Sequence, residues 1–385
     1  MELLTRWLHV IVGVAWIGTS FYFVWLNNHL RPPPEADEQV SGELWSVHGG
    51  HFYRVMRFRV APARLPETLH WFKWEAYATW ITGAVMLVLV YYLGSDGFLL
   101  DLSRGIEKPV GIAIGVGAIV GGWVVYDQLC KSPLRRSPVA FAVVGLSLAT
   151  AAAYGLTQAL SARAAYLHVG AMLGTCMAAN VFFVIIPNQR RMVDAMIRGE
   201  EPDGALGAAG ALRSLHNNYM TLPVLFIMIS THYPMTYGHG WNWAILAGIS
   251  VCGAVIRHWF NLKGRGQRNV WLWPVAVAGL LGLAFVTRPA PAVEVAGSVD
   301  FKTVVHPIVQ KRCAPCHARE TTFEGFTVAQ KGILLETPDE IRSQAANILK
   351  NAVETQYMPL GNLTQITAEE RAILGEWARR GAAIE

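Results

Sequence analysis

Charge is what this sequence lacks most. Asp, Glu, Lys and Arg make up 15% of the 385 residues, against about 25% in an ordinary soluble domain. The mean hydropathy is positive, at +0.31. That balance excludes a single soluble globule. Cysteine is scarce too: five scattered residues cannot frame a small disulfide-held fold. The glycines from Gly111 to Gly122 lack the strand that a dinucleotide fingerprint requires, so they point to close helix packing. A shortage of apolar residues, the mark of disorder, is absent: 53% are hydrophobic, with 14 Trp, 12 Tyr and 15 Phe.

What is present is apolar and long. Eight runs recur, at about 3–28, 70–93, 109–130, 138–158, 164–187, 217–233, 241–261 and 270–287. Most reach the roughly 20 residues that cross a ~30 Å hydrocarbon layer. The sixth is short and contains Pro223, which a membrane helix tolerates when neighbours satisfy the freed carbonyl. The first is too long for the apolar part of a signal peptide and lacks a small-residue cleavage site, so it reads as helix one. Pro289-Ala290-Pro291 then marks a linker, and no spanning run follows it. The expected fold is all-α: an eight-helix transmembrane bundle over 1–288, a linker over 289–298, and a small soluble domain over 299–385.

The net charge of +5 is explained by topology. With the N-terminus outside, inner segments hold 17 Lys and Arg and outer segments 5. The positive-inside rule favours that orientation, and an even number of spans leaves the soluble tail outside as well. No nucleic-acid partner needs to be invoked. An internal repeat accompanies the spans. Leu8-His9-Val10 opens helix one and Leu167-His168-Val169 opens helix five. Phe23 with Phe182 and Arg31 with Arg190 keep the same offset of 159 residues. Leu69-His70 has a looser counterpart in Leu215-His216. Duplication of a four-helix unit accounts for both pairs.

The most specific motif lies in the tail. Cys313-Ala314-Pro315-Cys316-His317 reads C-x-x-C-H, the attachment signal for a covalent c-type haem. Two thiols add to the haem vinyl groups and His317 meets one axial face of the iron. A redox dithiol would expect a thioredoxin-like βαβ unit, and a zinc site would need two further ligands; neither is in view. After Arg288 the chain has one methionine, Met358, and one further histidine, His306. Met358 in Met-Pro-Leu-Gly-Asn is the expected sixth ligand, with a core role as the alternative. Met/His ligation raises the haem potential. A helix over about 299–312, the haem motif, the Met-Pro loop and a helix from Ala368 to Arg380 together resemble a class I cytochrome c. Thr367 and Glu370 form a capping box for the last helix. Bacterial haem attachment takes place outside the inner membrane, which agrees with the charge count.

Ionisable groups inside spans are costly and stand as functional candidates. His9, His168 and His232 fall toward the outer side; His70, His216 and His258 fall near the inner ends. Each set can supply ligands to a non-covalent b-type haem, or each histidine can be a hydrogen-bonded interface residue. Thr79, Asn180, Asn217 and Asn218 are further polar groups within spans. Glu75 and Asp127 can each accept a proton during an oxidation, or pair with an inner-loop arginine. Cys130, Cys176 and Cys252 read as small buried hydrophobes.

These features converge on a resemblance. The stretch from Trp7 to Phe23, the eight spans, the inner loop His48 to Val55 and the fused C-x-x-C-H domain resemble the membrane-bound, cytochrome c-fused bacterial urate oxidases, or urate hydroxylases. The resemblance implies oxidation of urate to 5-hydroxyisourate, with electrons passed through haem c to a respiratory acceptor such as a soluble cytochrome c or terminal oxidase. Arg54 and Arg57, with Arg59, His48, His51, Phe52 and Tyr53, are then candidates to bind the flat urate anion, since a guanidinium both pairs with an anion and stacks on a ring. Positive-inside anchoring is the other reading of those arginines. Helix one also resembles the membrane-bound protoporphyrinogen oxidase family. Two alternatives therefore stay open: an electron-transfer module fed by quinol or a dehydrogenase, and a tetrapyrrole oxidase.

Overall fold

The computed structural model describes residues 1–35, 37–62, 64–288, 299–323 and 326–385. The expected linker, 289–298, lies outside the described residues. Among the described residues, eight long helices coincide with the apolar runs. They are α1 (Glu2–His29), α2 (Trp74–Tyr92), α3 (Lys108–Lys131), α4 (Pro138–Thr157), α5 (Ala162–Ile197), α6 (Gly204–Ser230), α7 (Asn242–Gly264) and α8 (Leu272–Val286). Their starts are written in the sequence. Pro109 and Pro138 occupy first-turn positions, where a missing N–H costs nothing. The Ser161 and Asp203 side chains accept from Ala164 N and Ala205 N, capping α5 and α6. α1 to α5 and α7 are long and apolar enough to cross a membrane. α8 is apolar but has 15 residues, and α6 carries Arg213, Asn217 and Asn218 in its middle.

The structure corrects the sequence reading in three places. The fold is mostly helical but not all-α. β1 (Val40–His48) and β2 (His51–Phe58) form an antiparallel hairpin, with His48 facing His51 across Gly49-Gly50. Both glycines have positive φ, +58° and +81°, as a two-residue hairpin turn demands. Next, α2 starts at Trp74, so His70 sits in the coil before it. Finally, α6 starts at Gly204, well ahead of the sixth apolar run, because Asp203 caps it there and its alanine-rich first half favours helix.

Helix packing follows the repeat. α1 packs on α2 as α5 packs on α6; α3 packs on α5 as α7 packs on α1. The α2–α5 pair has its counterpart in α6–α1, and α3–α4 in α7–α8. These pairings map onto one another when helices 1–4 are exchanged for helices 5–8. Two turns of π-helix interrupt the spans, Val88–Tyr92 at the end of α2 and Asn180–Ile185 within α5. Such bulges often mark functional positions.

The tail has a core of its own. A π turn, Phe301–Val305, runs into α9 (His306–Arg312), and Thr367 with Glu370 makes a reciprocal cap on α10 (Ala368–Arg379). Phe301, Val305, Val309, Ile341, Leu374 and Trp377 are buried together. Arg312 clamps α9 to α10 through Glu370, 3.0 Å away. The tail rests on the helix ends: Tyr357 packs against the core formed by α2, α4, α5 and α6, and its hydroxyl accepts from Arg163 Nη1 at 2.9 Å. Phe326 meets Phe98 edge to face, with 6.1 Å between ring centroids.

Candidate functional site

The tail motif begins where α9 ends, and Met358 packs on the same core as Cys313. Burial pushes the Cys313 thiol up to about 12 and the Cys316 thiol up to about 11, so both are neutral at ordinary pH. His317 Nδ1 lies 3.1 Å from the Ile333 carbonyl. Donation from Nδ1 fixes the tautomer and leaves Nε2 as a bare lone pair. Burial lowers the His317 pKa, which keeps that lone pair unprotonated. Met358 sits on a loop held at both ends of its peptide. Its N–H donates to Asn351 O at 2.8 Å, and its carbonyl accepts from Arg371 at 2.6 Å. Arg371, 8% exposed, also donates to the Ala352 carbonyl. Two thiols, one free imidazole nitrogen and one thioether at an apolar core are the donor set a covalently held haem requires. His306 faces Gln310 instead, at 3.4 Å.

The six membrane-region histidines are dispersed. His9 Nδ1 bonds Thr82 Oγ1 at 2.9 Å, and its ring rests on Gly83. His168 is fully buried; Nδ1 bonds the Ala164 carbonyl at 2.8 Å and Nε2 faces the Tyr92 hydroxyl at 3.1 Å. A Cβ on Gly115 would come within 2.5 Å of that Nε2, so the imidazole fills the notch the glycine leaves. Thr82 and Tyr92 are ten residues apart on α2, about 15 Å along a helix axis, so His9 and His168 do not share a depth. His216 bonds the Tyr126 hydroxyl at 2.9 Å and stacks on Phe141. Gly115 and Tyr126 are eleven residues apart on α3, again about 16 Å. His258 bonds the Tyr219 hydroxyl at 2.7 Å. His258, His70 and His232 are exposed. A bis-histidine b-type haem needs two imidazoles facing each other at one depth with free nitrogens. Neither His9 with His168 nor His168 with His216 fits such a group.

The carboxylate and arginine candidates are also resolved by their neighbours. Asp127 is no free base: Oδ1 takes Arg213 at 2.6 Å and Oδ2 takes Lys131 at 2.5 Å. Glu75 stands in the first turn of α2, where its backbone carbonyl accepts from Thr79. Arg54 pairs with buried Glu43 at 2.6 Å and lies over Trp45. Arg57 donates to Ser41 Oγ at 2.9 Å. Both arginines therefore stitch the hairpin together.

Between the helices lie two polar clusters that the sequence pointed to only in pieces. In the first, Arg213 donates to Asn180 Oδ1, and Asn180 donates to Tyr126 and Asn217 at 2.9 and 2.8 Å. In the second, Arg257 donates to Asn218 Oδ1 at 2.9 Å and stacks on Phe21 at 4.0 Å. A family model described as urate oxidase N-terminal matches residues 1–288. The chain belongs to this urate oxidase N-terminal family. No curated protein and no solved structure matches the chain. The family region thus covers α1 to α8 and the hairpin, and it stops where the tail begins. Both buried arginines, Arg213 and Arg257, fall inside it, as do Asn180, Asn217 and Asn218. The asparagines were visible as polar breaks in apolar runs. The arginines were hidden among the cations counted as positive-inside charges, although both lie within α6 and α7 rather than in loops.

Proposed function

We propose that the chain is a membrane-spanning urate oxidoreductase whose electrons leave through a covalent haem c in its own C-terminal domain. One observation carries this reading. A urate oxidase-family region is fused to a tail that carries the C-x-x-C-H motif and packs Cys313 and Met358 against one core. On this reading α1 to α8 form the eight-helix membrane bundle, and 299–385 is a class I-like cytochrome c domain. The bundle lies in a bacterial inner membrane with both termini periplasmic, as the 17 to 5 asymmetry favours. The partners are the lipid bilayer, urate and a respiratory one-electron acceptor, a soluble cytochrome c or terminal oxidase.

The residues divide the work. Cys313 and Cys316 would hold the haem through their sulfurs, and His317 Nε2 and Met358 Sδ would be the donors to its iron. The bound group supplies one-electron acceptance. The Ile333 carbonyl orients the His317 ring, and Arg371 holds the Met358 loop in place through the backbone. The Arg312–Glu370 clamp keeps the motif helix against α10. The overall reaction balances as urate plus water giving 5-hydroxyisourate, two protons and two electrons. The electrons depart one at a time, and the hydroxyl oxygen comes from water.

That oxygen gives the test. Turnover in oxygen-18 water without dioxygen, with a one-electron acceptor present, is expected to yield 5-hydroxyisourate labelled at the new hydroxyl. Urate consumption that depends on dioxygen, or product labelled from dioxygen, would refute the reading.

A further inference from the structure

The tail and the helix ends enclose a cleft of about 630 Å³, within the range of small-molecule sites. Its walls come from both parts of the chain. Arg163 at the start of α5, Tyr237 and Arg288 line one side; Gln356, Tyr357 and Arg371 line the other. The loop that forms the second wall is the loop that presents Met358.

Unmet hydrogen bonds gather at this place. Among the described residues, four buried side-chain polar atoms have no partner, and three are Arg163 Nε, Tyr237 Oη and Tyr91 Oη. The hydroxyls of Tyr91, Tyr237 and Tyr357 lie near the Arg163 guanidinium, which donates to Tyr357. Tyr237 is 5% exposed and Tyr91 3%, so water does not satisfy these groups freely, and leaving such atoms unpaired costs stability. Among the described residues no carboxylate pairs with Arg163. The carboxylate of Asp101, also in the lining, is taken by Ser103 and Arg104; Glu354 is the other acid there. Gln356 adds backbone strain. It is not a glycine, yet φ is +51°, a conformation that costs energy and clusters at ligand sites.

We propose that this cleft binds the substrate: a flat monoanion edged with carbonyl oxygens and N–H groups, the chemistry of urate. Arg163 anchors the anionic edge through its unpaired Nε, the Tyr237 hydroxyl donates to a ring carbonyl, and the Gln356 carboxamide meets an N–H edge. The assignment rests on the urate reading above and adds where the anion sits. It also explains the fused tail, because the cleft exists only where the Met358 loop covers the helix ends. Substrate held there is a few residues from the axial ligand, and the electron path is short.

The test is urate binding to the full-length, dithionite-reduced holoprotein in detergent, followed anaerobically by calorimetry. Tyr237→Phe removes one oxygen that has no partner. The ligand-free variant should therefore unfold at the wild-type temperature or above it, while its Kd for urate rises about tenfold. Arg163→Gln should raise the Kd by about a hundredfold. A hydroxyl with a purely structural role would do the reverse, lowering the unfolding temperature and leaving Kd alone. Wild-type affinity in both variants would overturn the cleft assignment and leave the urate reading standing. Absence of binding to the wild type overturns the assignment as well; the urate reading falls with it only if urate also fails to reduce the oxidised protein.

Discussion

His317 and Met358 show how far single residues can be read. The haem motif was legible because its chemistry is contiguous: two thiols and an imidazole within five positions need no tertiary knowledge. Met358 is the expected ligand by elimination, and the structure adds Arg371, which no spacing rule indicates because it lies 13 residues away and bonds the Met358 carbonyl. Met358→Ala should keep covalent haem on denaturing gels but lower the midpoint potential, since a thioether ligand raises it. An unchanged midpoint would exclude Met358 as the ligand. Asp127 shows the opposite case, where a residue singled out for proton transfer is committed to a buried ion pair. Breaking such a pair costs about 3 kcal/mol or more, whereas Glu75 is in no ion pair among the described residues. Asp127→Asn should clearly lower the unfolding temperature in detergent, and Glu75→Gln should leave it nearly unchanged. Equal effects would mean the Asp127–Arg213 pair carries little of the bundle's stability.

Elements were legible where one period dominated. The apolar runs located the helices because a span needs little beyond length and hydrophobicity. The boundaries failed where a helix runs on beyond its strongly apolar stretch, as in the alanine- and glycine-rich first half of α6. The hairpin was missed for a different reason. Val-Ser-Gly-Glu-Leu-Trp-Ser-Val-His and His-Phe-Tyr-Arg-Val-Met-Arg-Phe flank a two-residue Gly-Gly turn, which is a strong hairpin signal. Attention to charge read the same segment as an arginine-rich loop. Arg54 and Arg57 therefore became anion candidates, although their partners, Glu43 and Ser41, lie across the ladder. The turn is testable by itself. An L-residue in the left-handed region costs about 1–2 kcal/mol, so replacing Gly49 and Gly50 together by alanine should open the hairpin to limited proteolysis between 40 and 58. Unaltered protection would show that hairpin packing, not turn conformation, holds the segment.

At the scale of the whole molecule, two parts of different chemistry meet at one face. Eight helices packed in a doubled pattern supply a rigid platform, and the tail rests on the ends of α2 and α5 through Tyr357, Arg163, Phe98 and Phe326. The sequence reads as two parts joined by a short connection. It could not foretell the cleft, because Arg163, Tyr237 and Gln356 are separated by up to 193 positions and meet only after docking. On the proposed function, urate electrons reach the haem of the same chain. The most direct measurement is anaerobic titration of the oxidised, purified, full-length protein with urate while the haem c absorbance is followed. Two haem c groups should be reduced per urate consumed, and the reduction should be abolished when both Cys313 and Cys316 are replaced. Haem c that stays oxidised in well-folded protein under excess urate would contradict it.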